Sequence, residues 1–352
     1  MAPRFHTLEV ADVRRLTPDA VAVTFDLPEA LADEFAWKPG QYLTLRAEVE
    51  GEDLRRNYSI AAAPGEPLTV GIKRVPGGRF STWAQGLEPG ARLEVMPPEG
   101  RFVWQGERDV LLVAAGSGIT PMMAIAGAAL AAGADVTLLF GNRTTADIMF
   151  RAELDALKDR YLDRFTLIHV LSREAQDVPL LNGRIDADKI ARLARAGAID
   201  PARHEAAFVC GPGAMIDTVS EALTAAGMDP ARIRTERFVL EGEAPRPAAS
   251  EAARAAAEAG VAVEVILDGV RRRFSLTDAE ASLVDAAHAQ GLELPFSCKG
   301  GMCATCRCRV VEGEVELPLN YALQDWELAQ GFTLACQARP VSGKVVLDFD
   351  AA

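Results

Sequence analysis

Residues 110–140 read VLLVAAGSGITPMMAIAGAALAAGADVTLLF, a stretch almost without charge. Hydropathy alone would take such a run for a membrane span. Gly116, Gly118, Pro121, Gly127 and Gly133 interrupt it, however, and Asp135 sits near its end. Strands of a parallel sheet are covered on both faces and therefore read as continuous apolar runs. The stretch is thus read as a buried strand, a glycine turn, an Ala-rich helix and a second buried strand. The same alternation continues outward: apolar runs at 110–115, 136–140, 165–171 and 206–210 are separated by helical stretches such as 151–157 and 214–226. Residues 104–240 are accordingly expected to form an α/β doubly wound parallel sheet.

The flanks differ. Residues 1–103 carry β-rich runs at 20–27, 41–48, 68–73 and 92–96, punctuated by Pro39-Gly40, Pro64-Gly65, Pro76-Gly77-Gly78 and Pro89-Gly90. Short strands at that spacing predict a small antiparallel β-barrel. Residues 241–260 (EGEAPRPAASEAARAAAEAG) are poor in large apolar groups and read as a linker with some helical tendency. Within 261–352, residues 261–267 and 273–276 suggest a hairpin and 282–290 a helix.

Composition narrows the function. With 37 Lys and Arg against 50 Asp and Glu, the net charge of −13 argues against nucleic-acid binding, which needs clustered cations. The N-terminus, MAPRFHTLEVADVRR, has no charged-then-apolar signal segment, so cytoplasmic residence with reduced thiols is expected. Five of the six cysteines fall between Cys298 and Cys336. Clustered reduced thiols point to a metal. Cys298, Cys303, Cys306 and Cys336 are spaced C-x4-C-x2-C-x29-C, the arrangement that ligates a [2Fe–2S] cluster with three thiolates from one loop and a distant fourth. The alternatives are structural zinc, which favours two C-x2-C knuckles where only one is present, and inert buried thiols. Gly300 and Gly301 let the loop wrap closely. Cys308 lies outside the pattern and is expected on a strand. His6, His169, His204 and His288 are expected to be structural or surface groups.

Two further constellations fit nucleotide chemistry. In Arg56-Asn57-Tyr58-Ser59, following Pro39-Gly40-Gln41-Tyr42, an arginine suits a flavin phosphate, an aromatic ring suits the isoalloxazine, and a hydroxyl suits its reactive nitrogen. Gly77-Gly78-Arg79-Phe80-Ser81-Thr82 offers a turn and helix start to a phosphate, with Lys73 adding charge. Gly116-Ser117-Gly118-Ile119-Thr120-Pro121 follows a strand and opens a helix, as a pyrophosphate site requires. Cys210-Gly211-Pro212-Gly213-Ala214-Met215 does the same after the fourth strand, and Glu236-Arg237-Phe238 follows.

On these motifs, residues 1–240 resemble the ferredoxin–NADP reductase superfamily and residues 261–352 a plant-type ferredoxin domain. The resemblance implies three domains: an FAD-binding antiparallel β-barrel (1–103), an NAD(P)-binding doubly wound α/β domain (104–240) and, after the linker (241–260), an α+β ferredoxin-like β-grasp domain holding [2Fe–2S] (261–352). It further implies that Arg56, Tyr58, Ser59, Lys73, Gly78 and Ser81 serve the flavin, with FAD preferred over FMN. Gly116, Gly118, Thr120, Pro121, Gly211 and Pro212 serve the nicotinamide nucleotide. Ser59, Cys210 and Phe238 flank hydride transfer, Cys210 being equally readable as a small buried residue and Phe238 as a core residue. No Asp or Glu ends the second strand to accept ribose hydroxyls, whereas Arg143, with Arg173 nearby, is available for a 2′-phosphate. NADPH is therefore expected over NADH.

The order of sites implies an NAD(P)H-dependent oxidoreductase that converts two-electron delivery into one-electron transfer. The strings GNRTTADIMFR, NGRID, FVCGPGAMID, CKGGMCATCRC and NYAL are most similar to the reductase components of phenylacetyl-CoA epoxidases, which implies a di-iron oxygenase as electron acceptor, with no nucleic-acid or membrane partner. Residues 261–352 carry 8 Lys and Arg against 13 Asp and Glu, a balance suited to docking on a basic patch. The alternatives are a reductase of another oxygenase, desaturase or hybrid-cluster protein, and a redox sensor without turnover.

Overall fold

The structure is a computed structural model and describes residues 5–238 and 247–351. These fall into two compact units. One comprises His6–Leu54 and Tyr58–Phe238; the other takes Arg55–Asn57 with the C-terminal part of the chain.

The first unit opens with an antiparallel sheet of β1 (His6–Thr17), β2 (Ala20–Asp26), β3 (Tyr42–Val49), β4 (Glu52–Ser59), β5 (Thr69–Lys73) and β6 (Arg92–Val95), in the order β4-β3-β6-β1-β2-β5. A bridge between Ile60 and Val70, beside Ala61 N–H donating to Thr69 O at 2.8 Å, joins the two edges into a barrel. Leu8, Val21, Val23, Phe25, Leu43, Leu45, Ile72 and Val95 fill it. A short helix, α1 (Arg79–Trp83), follows β5. The strands at β2, β3, β5 and β6 match the β-rich runs of the sequence. β1 and β4 do not announce themselves, because two register shifts break the alternation of β1 and β4 (EDLRRNYS) is strongly charged.

The uncharged stretch becomes β7 (Asp109–Ala115), α2 (Ile119–Ala131) and β8 (Asp135–Asn142). At 13 residues α2 is too short to span a bilayer, and among the described residues no helix is long and apolar enough to cross a membrane. With β9 (Phe165–Leu171), β10 (Ala206–Gly211) and β11 (Ile233–Arg237) these strands form a parallel sheet ordered β11-β10-β7-β8-β9. The period of two splits β7 between two cores. Val110, Leu112 and Ala114 face α2 and Leu154 of α3 (Arg151–Arg160), while Leu111 and Val113 face Ile190 and Leu193 of α4 (Ala187–Arg195) and Ile216, Val219 and Leu223 of α5 (Gly213–Ala225). Helices on both faces make the domain doubly wound, and the strand order reverses at β7, where ligands bind in such folds.

In the second unit α6 (Glu251–Ala259) begins at Ser250, whose hydroxyl accepts from Ala253 N–H at 3.1 Å, and buries Ala253 and Ala257 beside Ala279 and Val341. The helical tendency of 241–260 is thus realised in its second half; residues 239–246 lie outside the described residues. Then come β12 (Val261–Leu267), β13 (Val270–Leu276), α7 (Leu283–Ala289), β14 (Arg307–Glu312), β15 (Val315–Glu316), α8 (Asp325–Ala329), β16 (Phe332–Leu334), β17 (Arg339–Pro340) and β18 (Lys344–Asp348). The main sheet runs β13-β12-β18-β14-β16, with β12 and β18 parallel, over a core that includes Val263, Val265, Leu283, Leu334 and Leu347. β15 and β17 form a separate pair.

Candidate functional site

At the flavin-type motif, β4 places Arg56 and Tyr58 half-buried and Ser59 fully buried. The Tyr58 ring lies 5.7 Å from Phe80, which packs on Trp83, so the β4 aromatic is braced by α1. Gly78 caps α1 in an extended conformation; a Cβ there would come within 2.7 Å of Ser81 Oγ. The requirement for glycine is therefore steric. Ser81 Oγ accepts from Val75 N–H at 3.1 Å and donates to Gly78 O at 3.3 Å, so this hydroxyl shapes the turn. Lys73 ion-pairs with Asp19 at 3.3 Å, the carboxylate that also meets Arg143.

The second motif is built by close backbone approach. Gly116 has φ +55°, a conformation glycine adopts without penalty. Gly118 lies so near the end of β10 that an added Cβ would sit 2.2 Å from Cys210 O. Only glycine lets the turn after β7 touch the strand carrying Cys210. Thr120 Oγ1 donates to Ser117 O at 3.0 Å and closes the first turn of α2, where buried Pro121 needs no donor. Gly211 packs against Ala115 and Met215, and Pro212 precedes α5. Gly71 of the barrel lies against Thr120 and Phe150, so barrel strand β5 rests on the nucleotide-type turn.

Where these elements meet, Ser59 Oγ donates to Glu236 Oε2 at 3.1 Å. Parallel pairing of β10 and β11 sets Glu236 directly opposite Cys210, which is fully buried. Burial pushes the Glu236 carboxyl up to about 8 against the lowering effect of the Ser59 hydroxyl. Burial, and then Glu236, push the Cys210 thiol well above its usual range, so it stays a neutral thiol. Phe238 is half-buried against the core that contains Cys210. Ser59, Cys210 and Phe238 thus belong to one region, and Glu236 is the member that reading the motifs missed; its only signal was its place in Glu236-Arg237-Phe238.

Arg143, just past β8, is exposed, and its Nη2 contacts Asp147 Oδ1 at 2.9 Å and Asp19 Oδ2 at 3.4 Å. Asp147 also accepts from Thr144 N–H and Oγ1. Against burial, the Thr144 hydroxyl, then Arg143 and Lys73, hold its carboxyl below the usual range.

In the second unit the four cysteines pair two and two. The Cys298 and Cys303 thiols interact with each other, as do those of Cys306 and Cys336. Among the described residues no three His, Cys, Asp or Glu side chains gather to hold one metal ion. A two-iron cluster takes two thiolates per iron, so paired sulfurs are the donor set that fits it. The loop reaches this shape through positive φ at Lys299 (50°), Gly301 (74°) and Ala304 (59°). Gly300 N–H donates to Cys298 Sγ at 3.3 Å; contact with Cys303 and the Gly300 and Met302 N–H groups lower the Cys298 thiol below its usual range despite burial. Gln337 Nε2 donates to Lys299 O at 2.6 Å, tying the Cys336 segment to the loop. Cys308 is fully buried on β14 within the core.

Three family models match in succession: an oxidoreductase FAD-binding domain over residues 7–104, an oxidoreductase NAD-binding domain over 112–221, and a 2Fe-2S iron-sulfur cluster binding domain over 265–341. The chain belongs to the ferredoxin reductase-type oxidoreductases that unite these domains, the reductase components of multicomponent oxygenases. It is 43% identical to one component of the 1,2-phenylacetyl-CoA epoxidase of Escherichia coli K12, covering 99% of this chain and 98% of that protein. It is 37% identical to the ferredoxin reductase component of 3-ketosteroid-9-alpha-monooxygenase of Rhodococcus rhodochrous, over 97% and 96%. Phthalate dioxygenase reductase shares the fold across 98% of both chains, with a TM-score of 0.59 and 21% identity.

Proposed function

We propose that this protein takes hydride from NADPH beside Ser59, Cys210 and Glu236 and passes electrons through its four-cysteine loop to a di-iron oxygenase that epoxidises the ring of phenylacetyl-CoA. The observation that carries the acceptor is the 43% identity, over nearly the whole of both chains, to the phenylacetyl-CoA epoxidase component. Bound FAD supplies a two-electron acceptor that releases electrons singly, and a bound [2Fe–2S] cluster supplies a one-electron carrier.

The protein's own residues bind and orient. Arg56 would hold a flavin phosphate, Tyr58 would pack on the flavin ring, and the Ser59 hydroxyl would turn from Glu236 to hydrogen-bond its reactive nitrogen; Gly78 and Ser81 shape the turn that would face its phosphates. Gly116, Gly118, Thr120 and Pro121 present the N-terminus of α2 to the nicotinamide nucleotide's pyrophosphate, with Gly211 and Pro212 lining the opposite wall. Cys210, a neutral thiol, would lie beside the nicotinamide and Phe238 beside the flavin. Arg143 takes the 2′-phosphate, with Lys73 close by. Cys298, Cys303, Cys306 and Cys336 hold the cluster. The dense glycine contacts at Gly118 and the Ser59–Glu236 hydrogen bond support this arrangement.

A second reading rests on the 37% identity to the ketosteroid monooxygenase component, which favours a different oxygenase as acceptor. Reconstitution decides between them. The loaded protein, NADPH and the phenylacetyl-CoA oxygenase components should yield epoxide in proportion to NADPH consumed; turnover with another oxygenase and none with this one overturns the acceptor.

A further inference from the structure

A carboxylate from another element lies beside Arg143, just past the second strand of the parallel sheet. Asp19 lies in the turn between β1 and β2, far from β8 in sequence, and its side chain meets two cations, Lys73 Nζ at 3.3 Å and Arg143 Nη2 at 3.4 Å. It is fixed there by Thr17 Oγ1, which donates to Asp19 Oδ1 at 2.8 Å. Only about a fifth of its side chain is exposed, like that of Lys73. With Asp147, the group holds two carboxylates and two cations.

We propose that Asp19 sets the balance between NADPH and NADH. This deepens the reading of Arg143 as the 2′-phosphate ligand and rests on it. A 2′-phosphate approaching Arg143 meets a local charge already neutralised, and its own negative charge is repelled by Asp19. An unphosphorylated ribose meets the reverse situation, because a carboxylate accepts hydrogen bonds from its hydroxyls. Both carboxylates already have partners, but they differ in origin: Asp147 accepts from Thr144 and Arg143 within its own turn and holds that turn's shape, whereas Asp19 reaches Arg143 from the barrel, so replacing it changes the charge at Arg143 without uncapping the turn.

The test is binding to the loaded protein by calorimetry, with 2′,5′-ADP and 5′-AMP as probes of the adenosine end and NADP⁺ and NAD⁺ as whole nucleotides. Asp19→Asn, with Asp19→Ser as a second variant, should tighten 2′,5′-ADP and NADP⁺ on the order of fivefold without tightening 5′-AMP or NAD⁺. In an Arg143→Ala background that gain should vanish. Equal changes in both nucleotides, or no gain for the phosphorylated pair, would overturn the proposal. Arg143→Ala alone examines the underlying reading separately: it must weaken 2′,5′-ADP far more than 5′-AMP. Equal weakening removes the arginine from the phosphate and Asp19 from the balance.

Discussion

Glu236 shows how a residue acquires chemistry from its fold. In sequence it is one acid two residues before an aromatic, and only that placement marks it. Parallel pairing with β10 sets it opposite Cys210 and within reach of Ser59, and burial then raises its carboxyl to about 8. The consequence for stability has a definite sign. An unfolded glutamate releases its proton near 4.5, so between about 4.5 and 8 the folded state binds the extra proton. Stability from this group is greatest below the lower value and is lost as pH rises through the upper one. Glu236→Gln removes the titration. Thermal melts should show the variant gaining on the parent between pH 5 and pH 9, by roughly a few °C, and a difference independent of pH would contradict the assignment. Ser59 and Cys210, by contrast, were legible as residues because each sits in a short motif whose order along the chain restricts its role.

Among the elements, what could be read depended on burial symmetry. β7, β8 and β10 are largely covered on both faces and read as apolar runs, and β9, partly exposed at the sheet edge, keeps enough apolar residues to read the same way. β11 (IRTER) is at least partly exposed along its length and carries no such signature, and α4 (ADKIARLAR) is too charged to present an apolar run. The turn between β7 and α2 was legible as glycine spacing, but the reason for Gly118 was not: the contact that demands it comes from β10, nearly a hundred residues on. Gly118→Ala forces the turn away from Cys210, and a displacement approaching 1 Å at a positioning element costs about 100-fold. Steady-state kcat/KM for NADPH should fall on that order while the visible absorbance of the bound flavin is retained; turnover near that of the parent would show that the close approach does not position the nucleotide.

At the scale of the whole molecule, the sequence order of three carriers was readable because each domain type leaves its own punctuation: Pro-Gly turns in the barrel, strand–helix alternation in the parallel sheet, and cysteine spacing in the last unit. The charge balance around Arg143 was not readable, since Asp19, Lys73 and Asp147 come from three separate elements. On the proposed path electrons enter beside Ser59 and Cys210 and leave through the four-cysteine loop. Cys298→Ser separates the two halves of that path. Measured with NADPH as donor, the variant should lose reduction of cytochrome c, a one-electron protein acceptor, while keeping most of its reduction of ferricyanide directly from the flavin. Equal loss of both activities would contradict the path, and full retention of cytochrome c reduction would place the exit for electrons elsewhere.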